Sequence, residues 1–149
     1  MEFLKKFDLI STSRIVEFEE KNNIRLSNDY FDFLKNYNGG YPARDKFKIN
    51  DSQGTDILDV LHGLDVKPRF SNLDYLVDNY SDRFIHHVIP IGHDAGGNYI
   101  CLNLKEGTNY GKVYFYDHEI DNEDENGNLN WDNLYLIADS FSEFLEKLY

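Results

Sequence analysis

The chain holds one cysteine, Cys101, among 149 residues. One cysteine can neither form an internal disulfide nor supply a multi-cysteine metal site. Within the apolar run Tyr99-Ile100-Cys101-Leu102 it reads as a small buried hydrophobe, and the composition suits a reducing cytoplasm. No window approaches the ~18 apolar residues that a membrane-spanning helix requires. The N-terminal Met-Glu-Phe-Leu-Lys-Lys-Phe-Asp lacks the uninterrupted apolar stretch of a secretory signal. A cytoplasmic protein is therefore expected. Internal repeats, low-complexity tracts and Pro/Ser-rich linkers are also absent, and 149 residues suit one domain spanning 1–149.

Basic residues are scarce in the second half. Residues 1–75 carry 11 Lys and Arg against 13 Asp and Glu, and residues 76–149 carry 4 against 14, so −2 and −10 make up the net −12. Seven acids, Asp117, Glu119, Asp121, Glu123, Asp124, Glu125 and Asp132, follow one another with no Lys or Arg between them. Such a segment repels nucleic acid and phospholipid headgroups and attracts basic surfaces. Direct binding to nucleic acid or membrane is not expected.

Complete catalytic patterns are missing too. Gly92-His93-Asp94-Ala95-Gly96-Gly97-Asn98 has no lysine, and a strand rather than a helix follows it, so it reads as a tight β turn and not a phosphate cradle. His86, His87, His93 and His118 with Asp94, Asp117 and Glu119 offer metal-ligand chemistry, but not the spacing of a helical zinc motif. No serine stands in a nucleophile elbow. Paired acids such as Glu19-Glu20 and Asp124-Glu125 read as solvated surface. Neither a catalytic site nor a cofactor or metal is expected.

What is present is a well-supplied core: 41% apolar residues, with 11 Phe and 11 Tyr. Ser13 to Asn22 reads as a helix with Ile15, Phe18 and Val16 as its stripe and a capping hydroxyl among Ser11 to Ser13. A second helix after Leu26, capped by Ser27 or Asn28, carries Tyr30, Phe31, Phe33, Leu34 and Tyr37, and Asn38-Gly39-Gly40 stops it. Phe47 to Ile49 and Ile57 to Leu64 suit short strands, although Ile57 to Leu61 also fits a helical turn. Leu73, Leu76, Val77 and Tyr80 follow helical spacing behind the cap Asn72. Val88 to Ile91, Tyr99 to Leu104 and Val113 to Asp117 are the clearest strands. Asp121 to Asn130 reads as an exposed loop. Ser140 to Glu143 forms a capping box ahead of Phe141, Phe144, Leu145 and Leu148.

The acidic segment has two readings. One is a solubilising loop. The other is a steering surface that speeds association with a basic partner, with Trp131 and Tyr135 as nearby aromatic contacts.

Six segments in order carry a family resemblance: I-V-E-F-E-E at 15–20, L-S-N-D-Y-F-D-F-L at 26–34, Y-N-G-G-Y-P at 37–42, I-P-I-G-H-D-A-G-G-N at 89–98, G-K-V-Y-F-Y-D-H-E at 111–119 and I-A-D-S-F-S-E-F-L at 137–145. Together they resemble the SUKH superfamily, which includes yeast regulators of cell-wall glucan synthesis and bacterial toxin immunity proteins. Two departures stand out: Ser27 where the family often has proline, and Tyr116 where it often has tryptophan. The resemblance implies an α+β fold, one mostly antiparallel sheet packed with N- and C-terminal helices. It also implies a non-enzymatic immunity protein whose partner is a cognate toxin with a basic surface, commonly a nuclease or nucleic-acid deaminase. The alternative it leaves open is an intracellular scaffold or regulator of the cell-wall-synthesis type.

Overall fold

Helix α1 (Thr12–Asn22) begins at a side-chain cap, with Ser11 Oγ accepting the Arg14 amide at 3.2 Å. Ile15 and Phe18 are buried one turn apart, whereas Val16 faces outward. The computed structural model describes all 149 residues. Helix α2 (Asn28–Asn36) buries Tyr30, Phe33 and Leu34, with Phe31 and Tyr37 half-buried against the same core. Ser27 occupies its N-cap position, but its hydroxyl makes no capping bond.

The stop of α2 differs from the expected glycine stop. Asn38 takes the left-handed conformation first, at φ 52°. Its side chain is 1% exposed. The Nδ2 donates to the carbonyls of Asp8 (2.9 Å) and Leu64 (2.8 Å), and Oδ1 accepts the Leu64 amide at 2.8 Å. Asparagine serves here because it tolerates positive φ and brings its own donors and acceptor. Gly39 is needed for close approach: a Cβ there would stand 2.5 Å from the carbonyl oxygens of Leu61 and His62.

A short N-terminal strand, β1 (Phe3–Lys5), pairs antiparallel with β2 (Tyr41–Pro42) just past that stop. Six further strands form one antiparallel meander in sequence order: β3 (Lys46–Asn50), β4 (Gly54–Leu61), β5 (Val88–Asp94), β6 (Tyr99–Asn103), β7 (Val113–Tyr116) and β8 (Leu134–Ala138). Ile57 to Leu61 is strand and not a helical turn, because Leu58 to Leu61 pair with the Gly92–Asp94 end of β5. Strand β8 was not anticipated. Its run Leu-Tyr-Leu-Ile-Ala is nearly all apolar and lacks the alternation that identifies a strand locally.

Alternate residues divide the sheet as the pleat requires. Ile100, Leu102, Val113, Phe115 and Ile137 join α1, α2 and the C-terminal helix in the main core. Cys101, Val88 and Tyr116 face the other side, where Phe84 covers them. Helix α3 (Leu73–Tyr80) packs against β5, and Asn72 Oδ1 accepts the Tyr75 amide as its cap. Helix α4 (Phe141–Lys147) begins at Ser140, whose Oγ accepts the Glu143 amide at 3.1 Å. Glu143 reaches back to the amide of Asp139 at 2.9 Å, one residue beyond the cap. Phe141, Phe144 and Leu148 are buried, and Leu145 is half-buried. The terminal Tyr149 exchanges two backbone bonds with Lys46, at 3.0 and 3.1 Å, and so covers the outer edge of β3. The architecture is α+β, a mostly antiparallel sheet packed by helices from both ends of the chain. No helix is long and apolar enough to cross a membrane.

Candidate partner-binding surface

The β5–β6 turn is organised by one carboxylate. Asp94, 7% exposed, accepts the amides of Gly96 and Asn98 and the Asn98 Nδ2, each at 2.8 Å. The turn closes through Gly97 at φ 95°, which is the tight glycine turn expected from the sequence. Asn98 Oδ1 then accepts the His118 amide at 3.1 Å and lies 2.6 Å from His118 Nδ1. Through Asn98, the turn holds the exit of β7, where the acidic segment starts.

Beside Asp94 stands Asp56 of β4, close enough for each carboxyl to shift the titration of the other. Two carboxylates this close cannot both ionise freely. Burial, followed by the side-chain contact with Asp94, pushes Asp56 up to about 6. Burial also raises Asp94, but the contact with Asp56 and the bonds from Asn98 and Gly96 outweigh it and hold Asp94 below the usual range. Asp94 is thus the ionised member. Asp56 is the member that keeps a proton, below about pH 6, and its Oδ2 has no hydrogen-bond partner.

A second buried array lies next to this pair. His62 is fully buried, with Nδ1 3.0 Å from the Pro90 carbonyl and Nε2 2.8 Å from His93 Nδ1. His93 Nε2 faces Asp59 at 3.7 Å. Burial, then repulsion from His93, pushes His62 down to about 3. Burial also lowers His93, against the opposing pull of Asp59 and Asp94. Only the neutral imidazole of His62 fits the interior, where it orders the crossing of β4 and β5.

Outside these groups, Asp45, Asp56, Asp59 and Asp94 line a cleft of about 530 Å³ with the exposed side chains of Leu4 and Ile57. No Lys or Arg lines it. Sequence reasoning named Asp94 only as a metal-type residue and missed Asp56 and Asp59. Two charges inside the apolar run Ile57 to Leu61 and at its start were the available signal.

The acidic segment itself is built, not slack. Asp117 donates its amide to the Asn133 carbonyl at 2.9 Å, and Glu123 bridges Leu129 in a small antiparallel excursion. Asp124 Oδ1 accepts the amides of Asn126 and Asn128 at 2.8 and 2.9 Å, and these bonds, that to Asn128 first, hold its carboxyl below the usual range. Asn122, buried, donates to the Arg83 carbonyl at 2.9 Å and anchors the segment. Glu119, Asp121, Glu123, Asp124, Glu125 and Asp132 are exposed, and Asp117 is half-buried. Trp131 is 39% exposed, and its ring lies 5.1 Å from that of Tyr114. Tyr135 lies on β8 and packs half-buried against the main core, so less of it faces outward than of Trp131.

The four histidines weighed as metal ligands do not converge. His86 and His87 precede β5 while His93 stands near its far end, about 20 Å along an extended strand. No group of three or more His, Cys, Asp or Glu side chains is placed to hold a metal ion. Cys101 is fully buried, and burial raises its thiol well above the ordinary value.

The Asp56–Asp94 pair makes stability pH-dependent. Asp56 has a raised pKa in the folded state, so its contribution is fully present below the ordinary 3.8 and is lost as pH rises through about 6. Solvent screening at this half-exposed position leaves about 1 kcal/mol of effect. His62 acts in the opposite sense, its contribution being present above 6.5 and lost as pH falls toward 3. Asp56→Asn should therefore stabilise the protein by about 1 kcal/mol at pH 8 and change it little at pH 4.5. Urea midpoints at the two pH values measure this directly, and an equal difference at both would remove the Asp56 proton from the account.

Two comparisons with known proteins bear on the chain as a whole. The chain matches the SMI1 / KNR4 family (SUKH-1) over residues 9–147. It is also 31% identical over 161 aligned residues to the SPbeta prophage-derived uncharacterized protein YokK of Bacillus subtilis (strain 168), an alignment covering 96% of this chain and 77% of that protein.

Proposed function

The chain belongs to the SMI1 / KNR4 family (SUKH-1), and from that premise we propose that it is a cytoplasmic, non-enzymatic immunity protein that binds and neutralises a cognate bacterial toxin. The toxin presents a basic surface, as a nuclease or nucleic-acid deaminase must in order to hold its substrate. The observation that carries this reading is the continuous acidic end of the sheet. It runs from the Asp56–Asp94 cleft, through the Asn98–His118 bonds, to the segment 117–132. No Lys or Arg occurs between Lys112 and Lys147. The prophage derivation of the Bacillus subtilis relative fits a gene carried with mobile elements.

Within this face the segment acts mainly in approach. Asp117, Glu119, Asp121, Glu123, Asp124, Glu125 and Asp132 attract the basic partner, while Trp131 and Tyr135 give it aromatic area to desolvate. The protein works by occupying a surface. Its one thiol is buried. The competing reading, an intracellular scaffold of the cell-wall-regulator type, uses the same domain for another partner.

Co-expression with a neighbouring gene that joins a secretion module to a C-terminal toxin domain separates the two. Rescue of growth and a co-purifying complex support immunity; a toxin that kills equally with and without this chain overturns it. For a rescued pair, the variant Asp121→Asn, Glu123→Gln, Asp124→Asn, Glu125→Gln keeps every amide-accepting oxygen while removing four charges. Its association rate should fall about tenfold at low salt. The difference should shrink near 1 M salt, where screening acts over about 3 Å. Rates unchanged at both would make the segment a solvated surface and move the binding face elsewhere.

A further inference from the structure

One cavity is lined by more cationic than anionic side chains. About 840 Å³ opens between the α1–α2 connection, the loop before β5 and the turn after β6. Arg25, Lys105, His86, His87, Asn23 and Asn28 all line it, and Glu106 is its one carboxylate. In a chain of net charge −12, this concentration of donors runs against composition. Neither Arg25 nor Lys105 takes part in any of the protein's salt bridges. Two further carboxylates stand close by without lining the cavity: Glu19, which accepts the Leu26 amide at 2.8 Å, and Asp29 in the first turn of α2, which accepts the Tyr30 amide and the Ser142 amide and hydroxyl.

Helix α2 adds further donors. Its first residue, Asn28, lines the cavity, and the amides of Asn28 and Asp29 donate to nothing in the protein. Ser27, 9% exposed, leaves its Oγ without a partner, although it does not itself line the cavity. The positive end of a helix and unbonded amides favour a phosphate or similar anion.

The walls are fixed by bonds that leave the cationic ends free. Tyr110 Oη donates to the Arg25 carbonyl at 2.5 Å, joining the α1–α2 connection to the loop after β6. The Leu104 amide donates to the His87 carbonyl at 2.8 Å, holding His87 at φ 69°. The same cavity is lined by Ile24, Ile85 and Leu104, an apolar wall beside the donors.

We propose that this cavity binds a phosphorylated organic ligand, its phosphate held by Arg25, Lys105 and the opening turn of α2 and its apolar body lying on Ile24, Ile85 and Leu104. Multiple donors from three segments suit a tetrahedral group with several acceptor oxygens better than a planar carboxylate. The site is separate from the acidic face and requires no toxin to be tested.

The test is an NMR titration of the full-length, ¹⁵N-labelled protein at constant ionic strength with inorganic phosphate, phenyl phosphate and acetate. Saturable shifts are expected at residues 23–28, 85–87 and 104–107 with both phosphates, and phenyl phosphate should bind the tighter. Arg25→Gln and Lys105→Gln should each weaken binding about tenfold. Lys35→Gln, on the exposed side of α2, should leave it unchanged. Unchanged dispersion elsewhere in each spectrum establishes that the variants are folded. Shifts that grow linearly without saturation, equal binding of acetate, no gain for phenyl phosphate, or indifference to both substitutions would each overturn the proposal.

Discussion

Phe144→Ala is expected to lower the free energy of unfolding by about 3–5 kcal/mol. The side chain is 1% exposed and meets the ring of Phe47 edge-on at 5.7 Å. Its helix, α4, has only seven residues, too few to persist without tertiary contacts. The stripe of Phe141, Phe144 and Leu148 supplies those contacts, with Phe141 packed 4.9 Å from Phe33 and 5.0 Å from Tyr30. Removing the Phe144 ring leaves a cavity between α4 and the sheet that neighbours can fill only partly. Half-buried Leu145 provides the comparison, because truncating it to alanine removes fewer contacts and should cost about 1–2 kcal/mol. Urea unfolding of both variants measures the difference. A Phe144→Ala midpoint equal to that of the parent would remove this helix from the core.

Asn38→Ala should have a comparable effect, about 3–5 kcal/mol, without creating a large cavity. The substitution leaves both the amide and the carbonyl of buried Leu64 without their partner, and the Asp8 carbonyl as well. It also places a less tolerant residue at positive φ. The two causes separate in Asn38→Gly, which relieves the backbone but restores no bond. That variant should recover about 1 kcal/mol of the loss. Thermal or urea unfolding with Asn38→Ala within experimental error of the parent would show that water replaces all three bonds.

Legibility along the chain followed the range of each signal. Helices α1, α3 and α4 could be read because caps and apolar spacing act within one or two turns: Ser11 with Arg14, Asn72 with Tyr75, Ser140 with Glu143. Strands β5, β6 and β7 stood out through apolar runs between glycine turns, and the family resemblance matched their order. Strand β8 escaped because five apolar residues in a row have no period. Ser27 was expected as a possible cap by residue type, yet its hydroxyl makes no bond. Side-chain rotamers at a loop–helix junction depend on neighbours distant in sequence, here the segment near Gly111, whose added Cβ would stand 3.7 Å from Ser27 Cβ.

The candidate surface divides in the same way. The excess of carboxylates from Asp117 to Asp132 is a property of composition, so the sequence by itself determined that one stretch of this protein carries seven acids unopposed by Lys or Arg. It also determined the α+β class, through local periodicity and through the six family segments. Only tertiary structure decided which charges stand together. Asp56 meets Asp94 because β4 pairs with β5 in the register that sets Leu58 opposite Asp94, and the same crossing brings His62 to His93. Asn38 reaches Leu64 across 26 residues, and the cationic cavity gathers Arg25, His87 and Lys105 from three separate connections. The reason is physical. Helical spacing and capping are short-range and written in neighbouring residues, whereas the field at a site is the sum over whatever the fold brings within a few ångströms, and strand register settles that sum.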